Sequence, residues 1–96
     1  MISDSILVAA RATLRYKFFT TRHLAVFLLL TQVPDRMDFG VLCREVMLPK
    51  AVVNRCVSGL VMLGFVERER NDNDNRKVWL GVTPDGWRFL KLMGAA

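Results

Sequence analysis

The sequence is poor in the residues that build metal centres and hydrolytic sites. Its 96 residues hold two cysteines and one histidine. Cys43 and Cys56 lack the Cys-x-x-Cys spacing of a zinc or redox motif, and His23 alone cannot complete a ligand set. There is no glycine-rich phosphate loop and no nucleophile paired with a base. An enzyme is therefore not expected, nor a cofactor or bound metal. Long apolar runs are missing as well. The longest, at residues 24–30, has seven residues, where a bilayer span needs about 20. The first residues, MISDSILV, carry no basic cluster and place Asp4 ahead of the apolar stretch, unlike a secretory signal. No internal repeat or long low-complexity segment occurs. These absences imply a cytoplasmic protein with reduced thiols and no membrane partner. Cys43 and Cys56 read as small core residues, and His23, at a helix start, reads as structural.

What is present is apolar and basic. Hydrophobic residues make up 52% and the mean hydropathy is +0.25. That is apolar for one small domain of residues 1–96, so part of the surface is expected against a partner, most simply a second copy. Lys and Arg number 14 against 9 Asp and Glu, a net charge of +5. This balance favours polyanions, nucleic acid first and anionic membrane second.

Periodicity orders the chain. Ser3 or Asp4 can cap a helix over 4–17, with Ile6, Leu7, Ala10, Leu14 and Phe18 at helical spacing. Thr20 or Thr21 can cap a second, running to about Gln32 and ended by Pro34; its centre is apolar nearly all round and should be the most buried element. Asp38 caps a short third helix, FGVLCREV. A fourth spans about 49–63, with Pro49 in its first turn and Gly64 closing it. Beyond Gly64 the period becomes two. FVERER and KVWLGV flank NDNDN and read as a hairpin over about 65–82. TPDG then starts a short final helix, WRFLKLM. Phe18, Phe19, Phe27, Phe39, Phe65 and Phe89 read as core; one of Trp79 and Trp87 is expected at a subunit contact. The fold class is mainly α with a small β-hairpin: a winged helix-turn-helix.

The fourth helix has two chemically distinct faces. At 100° per residue, Val52, Val53, Cys56, Val57, Leu60 and Leu63 fall together, and are expected to pack on the third helix and hairpin. Lys50, Ala51, Asn54, Arg55 and Ser58 fall opposite, in the N-terminal half, where a recognition helix meets base edges in the major groove. Arg55 suits guanine and Asn54 adenine, while Lys50 suits a phosphate. An ordinary solvated face is the other reading of the same pattern.

From about Thr21 to Leu90 the chain resembles the winged-helix core of the MarR family of bacterial transcription regulators. The likeness rests on NRCVSGLVMLG, on Arg68 of FVER, on Asp74 and Arg76 of DNR, and on Thr83 and Gly86 of VTPDG. It implies a double-stranded DNA partner, with Arg76 in the minor groove and Asp74 bracing the wing together with Arg68. Lys77 joins Arg76 on the wing, and Arg22 and Arg44 are expected on phosphates. Such regulators dimerise through long terminal helices. Here the chain stops at Ala96, so a homodimer is expected to rest on helix 4–17 and the last helix. Within this reading the protein is a repressor; its effector is not assigned.

A second function class stays open. A winged helix can serve as a protein-contact module, an anti-repressor or a subunit of a larger complex. The apolar composition fits that, and so do Glu67, Glu69, Asp72 and Asp74, which dilute positive charge on the wing.

Overall fold

The computed structural model describes residues 19–33, 35–71 and 74–93, with the side chains of 71 and 74–76 outside that description. The expected helix over 4–17 and the tip at Asp72 and Asn73 lie outside the described residues. The elements follow in the order α1 (Thr21–Leu30), β1 (Arg36–Asp38), α2 (Phe39–Val46), α3 (Lys50–Met62), β2 (Val66–Asn71), β3 (Asp74–Val82) and α4 (Pro84–Leu92).

Local chemistry explains most boundaries. The Thr20 N–H donates to His23 Nδ1 at 3.1 Å, so the histidine ring closes the start of α1. The Asp38 carboxylate accepts from the Gly40 amide at 2.9 Å and caps α2, as the sequence predicts. α2 ends at Met47, which takes a left-handed conformation with φ 58°. Pro49 is the N-cap of α3 with extended ψ, one position before the first turn expected for it. α3 closes with two crossed bonds, Gly64 N–H to the Val61 carbonyl at 2.9 Å and Phe65 N–H to the Leu60 carbonyl at 3.0 Å. This closure needs a left-handed residue after the helix, and Gly64 supplies it at φ 81°.

The wing is a sheet of three antiparallel strands in the order β1-β3-β2. The sequence reading expects two strands and omits β1. Three residues are too few to show a period, and β1 is a strand because β3 offers it a free edge: Arg36 pairs with Gly81, Met37 with Leu80, Asp38 with Trp79. On the other edge β2 runs in register from Val66 opposite Val82 to Arg70 opposite Val78, then shifts by a bulge at Arg70/Asn71.

The core lies between α1, α3 and the inner face of the sheet. Val26, Phe27 and Leu30 of α1 meet Val53, Cys56, Val57 and Leu60 of α3, with Leu42, Val66 and Leu80 closing the sides. α3 packs chiefly on α1 and β2; the hairpin was expected as a support, together with the helix FGVLCREV, and α1 takes the larger share instead. α1 buries Val26, Phe27 and Leu30 and turns Leu28 outward at 36% exposure, while α3 buries five residues on one side and exposes the other. Phe19, Phe27, Phe65 and Phe89 form a ring cluster, with Phe65 stacked on Phe89 at 4.6 Å. Thr83 ties this end together. Its hydroxyl donates to the Gly64 carbonyl and accepts from the Gly86 amide at 3.0 Å. The end of α3, the foot of the wing and the start of α4 therefore share one side chain.

Candidate nucleic-acid interface

The helical period sets the reading face of α3. Lys50, Ala51, Asn54, Arg55 and Ser58 are all exposed, and Val53, Cys56, Val57 and Leu60 are buried on the opposite side. The outward set thus stands on a helix fixed from behind. Val61 and Met62, at the far end, are exposed apolar residues at 39% and 75%.

Basic side chains flank this face. Arg22 and Arg44 are exposed, as a phosphate contact requires. Both cysteine thiols report their surroundings. Burial pushes the Cys56 thiol up, against the opposing pull of Arg22 and Arg55. Burial likewise pushes the Cys43 thiol up, with Lys50 and Arg44 pulling the other way. So Arg22 and Arg55 both lie near Cys56, and Arg44 and Lys50 both lie near Cys43. Neither thiol is activated, and both are free. Among the described residues no cluster of His, Cys, Asp or Glu could hold a metal.

The strand β2 sorts its charges by alternation. Val66, Arg68 and Arg70 point to the inner face, opposite Val82, Leu80 and Val78. Val66 and Leu80 are core residues. Past the edge of that core, Arg68 and Arg70 line a groove of about 140 Å³ with Phe39, Asn54 and Val78. The Arg68 guanidinium crosses to α3. Its Nη2 donates to Ser58 Oγ at 3.2 Å and to Asn54 Oδ1 at 3.4 Å. The expected pairing of Arg68 with Asp74 falls on a side chain outside the described residues; the described partners of Arg68 are on α3.

Glu67 and Glu69 occupy the outer face. With Asp35, Arg36, Trp79, Gly81 and Val82 they line a separate groove of about 260 Å³. Arg36 pairs with Glu69 at 2.7 Å and lies over the Trp79 ring at 5.4 Å. Of the four acids expected to dilute the wing's positive charge, Glu67 and Glu69 lie on the face of β2 away from α3, and the side chains of Asp72 and Asp74 lie outside the described residues. Arg36 and Arg70 were not picked out from the sequence. The alternation in VERER marks Arg70 as sharing a face with Arg68; nothing comparable marks Arg36.

Arg76 and Asp74 lie in β3 at the end nearest the tip, and their side chains lie outside the described residues. Lys77, next along β3, is exposed. Towards the other end of the chain α4 leaves Trp87 and Leu92 exposed, at 36% and 70%.

This geometry has a match in sequence. The model of the IclR helix-turn-helix domain aligns with residues 20–70, more than half of the 96. The chain belongs to the IclR helix-turn-helix family. The matched stretch of this IclR-type domain runs from the cap of α1 to the second arginine of β2, and so contains the whole reading face. No curated protein sequence gives a significant match.

Solved structures supply the wing. The PcaV transcriptional regulator from Streptomyces coelicolor, solved with its natural ligand, is 27% identical at a TM-score of 0.69, over 78% of this chain and 52% of that one. Sco3205, a MarR family transcriptional regulator from the same organism in complex with DNA, has a TM-score of 0.76 at 19% identity, over 91% and 55%. A MarR mutant from E. coli complexed with operator DNA has a TM-score of 0.69 at 23% identity, over 77% and 52%. The last two establish the fold alone. The IclR-type chain spans little more than half the length of these proteins. It is a winged helix-turn-helix; its likeness to MarR proteins is one of fold, while the family seen in its sequence is IclR.

Proposed function

We propose that the chain is a DNA-binding transcription regulator of MarR type, with α3 in the major groove and the wing in the adjacent minor groove. The observation that carries this is the exposure of Lys50, Ala51, Asn54, Arg55 and Ser58 on one face of α3, with Arg68 and Arg70 of the wing beside it. The net charge of +5 supports it. So do the DNA complexes of Sco3205 and MarR, proteins of the same fold. In this reading Arg55 reads a guanine, Lys50, Arg22 and Arg44 hold phosphates, and Arg76 with Lys77 enters the minor groove while Asp74 shapes the wing.

A homodimer places two copies of α3 in successive major grooves. Trp87 and Leu92 offer apolar surface for it on α4, and residues 4–17 are the other candidate. Sedimentation at tens of micromolar tests the dimer, and a monomer there rejects it. Occupancy of a promoter would exclude polymerase, so repression is the mode of regulation proposed. The site of action is the cytoplasm; no described helix is long and apolar enough to cross a membrane.

Fluorescence anisotropy on duplexes from the gene's own upstream region tests DNA binding. Affinity should fall steeply with salt, because each neutralised phosphate adds to the slope. A flat salt response, or no binding to any duplex, rejects the reading.

A further inference from the structure

Arg68 is a wing residue whose side-chain hydrogen bonds, among the described residues, end on the reading face of α3. Its Nη2 reaches Ser58 Oγ at 3.2 Å and Asn54 Oδ1 at 3.4 Å. These two acceptors lie one helical turn apart, and both belong to the outward set.

We propose that Arg68 determines base specificity by occupying the acceptor atoms of Asn54 and Ser58, so that α3 presents hydrogen-bond donors and reads guanine. The proposal rests on the DNA-binding reading above. A free asparagine suits adenine, because Oδ1 accepts from the base amine while Nδ2 donates to N7. Here Oδ1 already accepts from a guanidinium. The positive charge of that guanidinium, 3.4 Å away, also repels an approaching base amine. The Asn54 Nδ2 keeps both of its protons to give. Ser58 is in the same position: its oxygen accepts from Arg68, and its hydroxyl proton is left to donate. Arg55 and Lys50 are donors only. A face made of donors matches an edge made of acceptors. Guanine offers two acceptors, N7 and O6, in the major groove; thymine offers one, O4, beside its methyl group, adenine mixes an acceptor with a donor, and cytosine offers a donor, so guanine matches a row of donors best. The bases under Asn54 and Ser58 are therefore guanines.

Arg68 reaches this position through the wing. Alternation on β2 puts it on the inner face, and the register opposite Leu80 sets its height over α3. A change in the wing thus alters what the helix reads without touching a base.

The test is selection from a pool of randomised duplexes by the full chain, followed by affinity measurement on the selected sites. Wild type should select guanine at the positions under Asn54 and Ser58. Arg68→Ala should still bind, with the base under Asn54 shifted to adenine by about tenfold or more in relative affinity. Arg68→Lys, which keeps a charged donor, should keep guanine. Asn54→Ala placed on Arg68→Ala should erase the new adenine preference. Should thermal melting show Arg68→Ala unfolded, Arg68→Met carries the same comparison with the apolar stem retained. Unchanged base preference in either variant overturns the proposal, as does an equal loss of affinity for every sequence, which marks a phosphate contact or a fold support. If wild type binds no duplex at all, the DNA reading itself falls, an outcome distinct from binding with unaltered preference.

Discussion

The Gly86 amide donates to Thr83 Oγ1 at 3.0 Å, and the helix that starts there lies so close to the wing that no larger residue fits at 86. A methyl group at that position would stand 2.2 Å from the Phe65 carbonyl oxygen and 2.7 Å from Val82 Cγ1. The first of these is backbone and cannot turn aside. Gly86→Ala should therefore lower stability by about 1–3 kcal/mol or more through overpacking. Thr83→Ala removes a cap and should lower it by about 0.5–2 kcal/mol. Urea denaturation of both measures this, and a Gly86→Ala protein as stable as wild type would show that α4 is free to move off the wing.

Gly64 poses a different problem. A methyl group added there would meet no atom within 4 Å, yet φ is 81°. The strain of Gly64→Ala is thus conformational, roughly 1–2 kcal/mol for a left-handed alanine. Gly64→Asn should lose less, since asparagine tolerates that region. Equal losses for the two variants would mean that α3 ends differently in solution.

On the reading face, Arg55 and Lys50 should behave differently. Arg55→Ala should relax selectivity at one base position and lower specific affinity by about 1–3 kcal/mol. Lys50→Ala should weaken binding to all duplexes alike and reduce the salt slope by about one. Anisotropy titrations on matched and mismatched duplexes at several salt concentrations separate the two. Selectivity untouched by Arg55→Ala would move the reading contacts elsewhere on α3.

The outer groove should matter little for DNA. Arg36 and Glu69 form an exposed pair at 2.7 Å, with side chains 45% and 65% accessible. Such pairs contribute about 0.2–1 kcal/mol. Glu69→Gln should leave stability within that range and DNA affinity unreduced, because the pair lies on the face of β2 away from α3. Tryptophan fluorescence should shift, since Arg36 lies over Trp79. A large loss of DNA binding would place the outer face in the interface.

His23 makes stability depend on pH. Burial holds its pKa below the ordinary value of 6.5. Its Nδ1 accepts the Thr20 N–H, a role that protonation removes. The unfolded chain therefore takes up the proton at higher pH than the folded one. The contribution is complete above about pH 6.5 and is lost as pH falls through the lower folded value. His23→Gln, which can also close a capping box, should flatten the difference curve between pH 7 and 5. Parallel curves for the two proteins would assign the acid sensitivity to other groups.

The helices were the legible part of this protein. Asp38, Gly64 and the run of α3 carry their instructions in neighbouring residues, and a helical period repeats often enough over 13 residues to separate the two faces. Motif spacing placed the wing and the Thr83–Gly86 pair. The strand β1 escaped notice because its three residues make sense only against β3. Arg68 was legible as a wing residue but not as a partner of α3, since its contacts span 10 and 14 positions.

The sequence by itself determined the winged helix, the caps, the basic charge and the outward set on α3. Each of these follows from short-range sterics, local hydrogen bonds or a repeating period. Tertiary structure alone decided which face of β2 meets the recognition helix. Alternation in VERER requires that acids and arginines part company, but it is silent on direction. Burial of Val66 and Leu80 against the core chooses it. That choice sends Arg68 to Asn54 and Ser58, and leaves Glu67 and Glu69 on the far side with Arg36 and Trp79.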